Sequence, residues 1–145
     1  ALPIFATRQL GLEVAYSFAD SIGSLAWTTP FVTEEYLGKN REVVQAYCNA
    51  IAEAQKMLHT DPSVFVEVSQ AEFPQIDKEA IQSAADNFLR TRFVVPRNPT
   101  ISQAEWEAVM KLELGGGAIK QPLPYEQMVD NSFALKAAEQ FGLKA

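Results

Sequence analysis

An α+β fold, mostly α, is what this sequence predicts, with about six or seven helices and two short strands. Three observations predict it. After Pro30, apolar residues recur at three- and four-residue spacings, the period of helices buried along one face. Helix starts and stops punctuate the same region: Asp61-Pro62, Asp77, Ser102 with Glu105, and Gly142. Near the N-terminus, Leu12–Tyr16 and Ser24–Thr29 read as short strands instead.

Pro3 to Leu10 reads as a short helix ended by Gly11. Leu12-Glu13-Val14-Ala15-Tyr16 alternates weakly, as a half-buried strand does. Asp20 to Gly23 is loop-like, and the second strand stops at Pro30. Phe31 to Leu37 predicts a helix stopped at Gly38, and Asn40 a cap for a longer one. In that long helix Val44, Tyr47, Cys48, Ile51, Ala54 and Leu58 share a face. Asp61 then caps a helix with Pro62 at its first position and Val64, Phe65 and Val68 on its apolar side.

Asp77 opens the next helix, with Ile76 and Ile81 as a hydrophobic staple and Ala84, Ala85, Phe88 and Leu89 continuing the stripe. Pro96 and Pro99 break the chain. Ser102 and Glu105 form a capping box, with Ile101 and Trp106 as staple, and Gly115-Gly116-Gly117 ends that helix. Pro122 and Pro124 mark an extended connection. Asp130 or Asn131 caps a last helix that runs through Phe141 and stops at Gly142. No internal repeat or low-complexity segment interrupts this order. Two short strands do not make a stable sheet alone, so they call for partner strands.

Composition narrows the function classes. The 145 residues are 48% hydrophobic and 21% charged, a globular balance. Twelve Lys and Arg against 18 Asp and Glu leave a net charge of −6, which repels a phosphate backbone and argues against nucleic acid as a partner. A single Cys excludes an internal disulfide and a Cys-based zinc site, and a single His excludes a poly-His metal site. No apolar run approaches the roughly 18 residues of a membrane helix. The chain opens on Ala1-Leu2-Pro3 with no signal-peptide pattern, which suggests upstream removal or a fragment.

The chemistry-bearing residues are sparse. His59 and Asp61 lie two apart near a helix end, where a positive charge is favoured; that surface role fits them better than a catalytic triad. Cys48 sits among apolar neighbours and reads as buried and inert. The three glycines follow a helix, the wrong polarity for a phosphate loop. Arg90, Arg92 and Arg97 around Phe93 could take an anion, yet a solvated helix end explains them better. Glu34 and Glu35, adjacent on a helix, point about 100° apart and do not converge; Glu72 offers one further carboxylate. Tyr16, Trp27, Ser17, Ser21 and Ser24 gather around the two strands and suit a small-ligand cleft, or a Trp-centred core. No residue set specifies a reaction, and the chain reads as a non-enzyme with no cofactor.

The order of these pieces resembles the C-terminal part of solute-binding proteins of ABC importers, in the group that includes nitrate, sulfonate and taurine binders and the thiamine-pyrimidine precursor family. The resemblance rests on Pro3–Gly11, the Leu12–Ser17 strand, Thr29-Pro30-Phe31-Val32-Thr33-Glu34-Glu35, and the helix opened by Asn40-Arg41-Glu42-Val43-Val44. It continues through the Asp61-Pro62 break, Ile101-Ser102 and Leu114-Gly115 to Pro124-Tyr125-Glu126-Gln127-Met128-Val129-Asp130-Asn131-Ser132-Phe133-Ala134.

What the resemblance implies is the C-terminal part of a two-lobed periplasmic-binding-protein type II fold. Residues 1–28 would be the end of the second lobe and the hinge crossover strands, and residues 29–145 the helical C-terminal part of the first lobe. Its ligand-facing candidates are Phe5, Tyr16, Asp20, Ser24 and Trp27. The implied partners are an ABC permease in the membrane and a small-molecule ligand held by the full-length protein, in a periplasmic or extracellular membrane-associated setting. A homodimer through residues 12–28 would follow if the strand edges pair between copies. The enzymatic branch of the family carries a cysteine-rich segment and a histidine, which lone Cys48 and His59 do not match. The alternatives are a stand-alone helical interaction module and, ranked below it, a thiamine-pyrimidine biosynthesis enzyme.

Overall fold

The computed structural model describes residues 10–13, 15–16, 21–26, 28–91 and 95–144. Their regular elements are helices: α1 (Glu34–Lys39), α2 (Arg41–Thr60), α3 (Ser63–Glu72), α4 (Lys78–Asp86) continued by a π-helical turn (Asn87–Thr91), α5 (Gln103–Gly115), α6 (Tyr125–Met128) and α7 (Ser132–Phe141).

The two expected strands do not form. Residues 12, 13, 15 and 16 are irregular, as are 24–26, 28 and 29. Among the described residues there is no strand, so the α+β class is corrected to an all-helical one. With it falls the strand-bearing piece of a two-lobed periplasmic-binding-protein type II fold. The physical reason is hydrogen bonding. A strand completes its backbone hydrogen bonds only on a neighbouring strand, and two short segments offer too little sheet to persist. The backbone of the second segment finds a helix instead: the Ala26 amide donates to the Glu105 carbonyl at 3.3 Å. Among the described residues of 12–28 there is no strand. The expected first helix, Pro3 to Leu10, lies outside the described residues except for Leu10.

The chain divides into two compact units, residues 1–17 with 53–97 and residues 18–52 with 98–145. The first holds α3, α4 and the π-helical turn. Asp61 accepts the Ser63 amide at 3.0 Å and so starts α3. Asp77 caps α4 by accepting the Ala80 amide at 2.8 Å. The core of this unit is Val66, Ile81 and Ala85, with Phe65 and Ile76 packed against it. Ile76 thus serves as the staple the sequence predicts. Phe65 meets Phe88 edge to face, with ring centroids 5.8 Å apart, the arrangement that sets a positive ring edge on a negative face. Leu89, in the π-helical turn, is 2% exposed. Val68, expected inside, is exposed, and Val66 takes its place.

The second unit holds α1, α5, α6, α7 and the first part of α2. Thr33 caps α1 by accepting the Tyr36 amide at 3.1 Å. Helix α1 runs through Gly38 to Lys39, past the expected stop. Asn40 closes α1 rather than capping α2 with its side chain: its Nδ2 donates to the Tyr36 carbonyl at 3.0 Å. Phe133, Ala134, Ala137 and Ala138 of α7 are buried, and Arg41 lies 4.9 Å over the Phe133 ring. Gln45 donates to the Phe133 carbonyl at 3.0 Å. Asn131 ties the start of α7 to the entry of α5: its Oδ1 accepts the Ile101 amide at 3.0 Å and its Nδ2 donates to the Ile101 carbonyl at 2.8 Å. Tyr125 donates to that same carbonyl at 2.7 Å. Gly142, at φ 67, ends α7 in the left-handed conformation, where a side chain would be strained.

Candidate functional site

The N-terminus of α5 receives a distant stretch of chain. Ser102 precedes the helix and accepts the Glu105 amide at 3.2 Å, while Glu105 Oε2 accepts the Ser102 amide at 2.9 Å and its hydroxyl at 2.7 Å. This is the capping box the sequence predicts. The other carboxylate oxygen, Oε1, accepts the hydroxyl of Ser24 at 2.7 Å. With the Ala26 amide on the Glu105 carbonyl, two contacts hold residues 24–26 to one residue of α5. Thr29 Oγ1 donates to the Ala26 carbonyl at 3.2 Å and closes the following turn. Gly23, at φ 77, turns the chain just before. Burial alone would raise the Glu105 carboxyl, but the hydrogen bonds from Ser102 and Ser24 outweigh it and hold the group below its ordinary range.

Of the predicted ligand-facing residues, Ser24 is exposed at this place and Tyr16 is exposed in the other unit. Phe5, Asp20 and Trp27 lie outside the described residues. Spacing named Glu105 as a cap residue, but nothing in it could show the Ser24 contact, made 81 residues away. The Asn131–Tyr125–Ile101 network was missed for the same reason.

The other candidates take structural roles. Cys48 is half-buried; burial, and then the Asp130 carboxylate, push its thiol up, so no thiolate nucleophile is held there. His59 Nε2 lies 3.0 Å from the Val95 carbonyl and 3.3 Å from that of Pro96. Carbonyls only accept, so Nε2 carries the proton and is not free to act as a base. Arg97 lines a small cleft with His59, Thr60 and Leu89. Arg92, Phe93 and the Arg90 side chain lie outside the described residues. The amides of Gly116 and Gly117 turn back onto the Leu112 and Leu114 carbonyls, as a helix C-terminus does, and cradle no phosphate. A larger cleft of about 440 Å³ runs between α5 and the Pro122–Glu126 stretch, with Trp106, Met110 and Leu114 on its apolar side. Trp106 Nε1 donates to the Leu123 carbonyl at 2.8 Å and holds that stretch on the helix. Among the described residues no group of three or more His, Cys, Asp or Glu could hold a metal ion, and no helix is long and apolar enough to cross a membrane.

The groups gathered at the start of α5 are hydroxyls, a carboxylate and backbone amides. The chain is 24% identical over 138 residues, 94% of its length, to a Bacillus subtilis (strain 168) protein named "Putative binding protein YtlA". The match spans 41% of that relative's length. No family model and no solved structure matches the chain.

Proposed function

We propose that this chain is part of the solute-binding component of an ABC import system, which captures a small molecule or anion and passes it to a membrane permease. The observation that carries the reading is the similarity along 94% of the chain to a protein named for binding. The ordered resemblance to nitrate, sulfonate, taurine and thiamine-pyrimidine binders supplies the ligand class. Because the chain spans 41% of that relative, solute capture is assigned to the whole protein, working in a periplasmic or extracellular membrane-associated setting. In this reading the chain itself carries no catalytic step, and the raised Cys48 thiol supports that.

One observation favours a second reading, a helical interaction module. Large apolar side chains stand exposed on and beside α1 and on α2, among them Phe31 at 92%, Val43 at 54% and Tyr47 at 50%, the mark of a face that meets another surface.

The test expresses the entire coding region that contains this chain and follows its melting with nitrate, taurine, an alkanesulfonate and a hydroxymethylpyrimidine. At about a hundredfold excess over Kd, ligand adds about 2.7 kcal/mol and raises the melting temperature by several degrees. A shift with one of these solutes is the expected result. No shift with any of the four would remove the solute-binding reading in favour of the interaction module.

A further inference from the structure

A capping box satisfies the first amides of a helix, and one carboxylate oxygen is enough for it. In α5 the carboxylate's share of that work falls to Glu105 Oε2, which accepts both the amide and the hydroxyl of Ser102, while Ser102 Oγ accepts the Glu105 amide. Oε1 is turned to Ser24 at 2.7 Å. The same residue's backbone carbonyl accepts the Ala26 amide. Residues 21–26 thus form a segment with helical Ser21 and Ile22 and a left-handed Gly23, and Ser24 and Ala26 both bond to Glu105 of α5.

We propose that Glu105 is a positioning residue: one carboxylate oxygen caps α5 while the other clasps Ser24, so that the 21–26 segment is presented from α5. Its part in solute binding rests on the reading of Ser24 as ligand-facing. The clasp itself rests on geometry alone. Two alternatives separate physically. If Glu105 only caps the helix, any loss of the cap loosens residues 24–26 equally. If it clasps, losing Ser102 spares them and losing Glu105 does not.

The experiment is amide hydrogen exchange at Ala26, read by NMR on the 145-residue chain, in Ser102→Ala, Glu105→Ala, Glu105→Gln and Ser24→Ala variants. A hydrogen bond to a charged group makes local opening about ten-fold or more rarer. Ala26 protection should therefore drop about ten-fold in Glu105→Ala and Ser24→Ala and stay unchanged in Ser102→Ala. Glu105→Gln should restore only part of it, since one neutral carbonyl oxygen replaces the two charged ones that serve Ser24 and Ser102. Equal loss in Ser102→Ala and Glu105→Ala, or unchanged protection in Ser24→Ala, overturns the proposal. The solute panel fails separately: no melting shift there sinks the binding reading and leaves the exchange result standing.

Discussion

Single residues carry the pH response of this protein. Hydrogen bonds from Ser63 hold the Asp61 carboxyl below its ordinary range, and those from Ser132 do the same for Asp130. At Glu105 burial pulls the other way and loses to Ser102 and Ser24. Each group binds its proton less readily folded than unfolded. The stability they add is thus fully present above the unfolded carboxylate values, about 3.9 for Asp and 4.3 for Glu. It is lost as pH falls through the lower folded values. Thermal melts taken from neutral pH downward should show the loss set in only below about pH 4. Glu105→Gln should be less stable than the parent at neutral pH and converge on it in acid; parallel curves would contradict that assignment. Gln55 makes a different case. It is 7% exposed, and its Oε1 has no hydrogen-bond partner among the described residues. An unpaired buried carbonyl costs about 1–3 kcal/mol. Gln55→Met, similar in volume, should raise stability by about 1 kcal/mol in urea titration, and a clear loss would mean the amide has a partner.

At the scale of elements, local signals decided the ends of helices better than their faces. The carboxylate of Asp77 and the staple of Ile76 and Ile81 were legible because cap and staple act within one turn. Asp77→Ala should cost about 1 kcal/mol, measured by thermal or urea unfolding. Gly142→Ala forces a side chain into the left-handed region and should cost about 1–2 kcal/mol, although a Cβ there would meet nothing within 4 Å. The face of α2 was read in part: Val44, Cys48 and Leu58 are half-buried as expected. Its apolar spacing pointed to Tyr47 and Ile51, which are 50% and 37% exposed, while Ala52 and Gln55 are buried. Gln45 helps to explain the rotation: its amide reaches the Phe133 carbonyl at 3.0 Å and Asn49 at 2.9 Å, so polar residues point inward along that helix. Periodicity ranks residues by hydropathy and cannot foresee a long-range hydrogen bond. The strands failed for a related reason, since a strand is defined by its partner.

Across the whole molecule, stability depends on small cores. In the unit built on α3 and α4, Leu89 is the largest side chain buried to this degree among the described residues, at 2% exposed. Leu89→Ala leaves a cavity that small helices close poorly, and should cost about 2–5 kcal/mol by urea unfolding. Far-UV circular dichroism of the chain should show the double minimum of a helical protein; a dominant β spectrum would restore the strands. The sequence alone determined that this chain is globular and acidic, and where most of its helices begin and end. Those properties follow from composition and from contacts within a turn. Tertiary structure decided that residues 24–26 rest on a helix instead of a sheet, that Glu105 joins Ser24 to Ser102, and which face of α2 turns inward. Each of these depends on groups far apart in the chain, whose pairing is set by which backbone and side-chain partners the folded chain makes available.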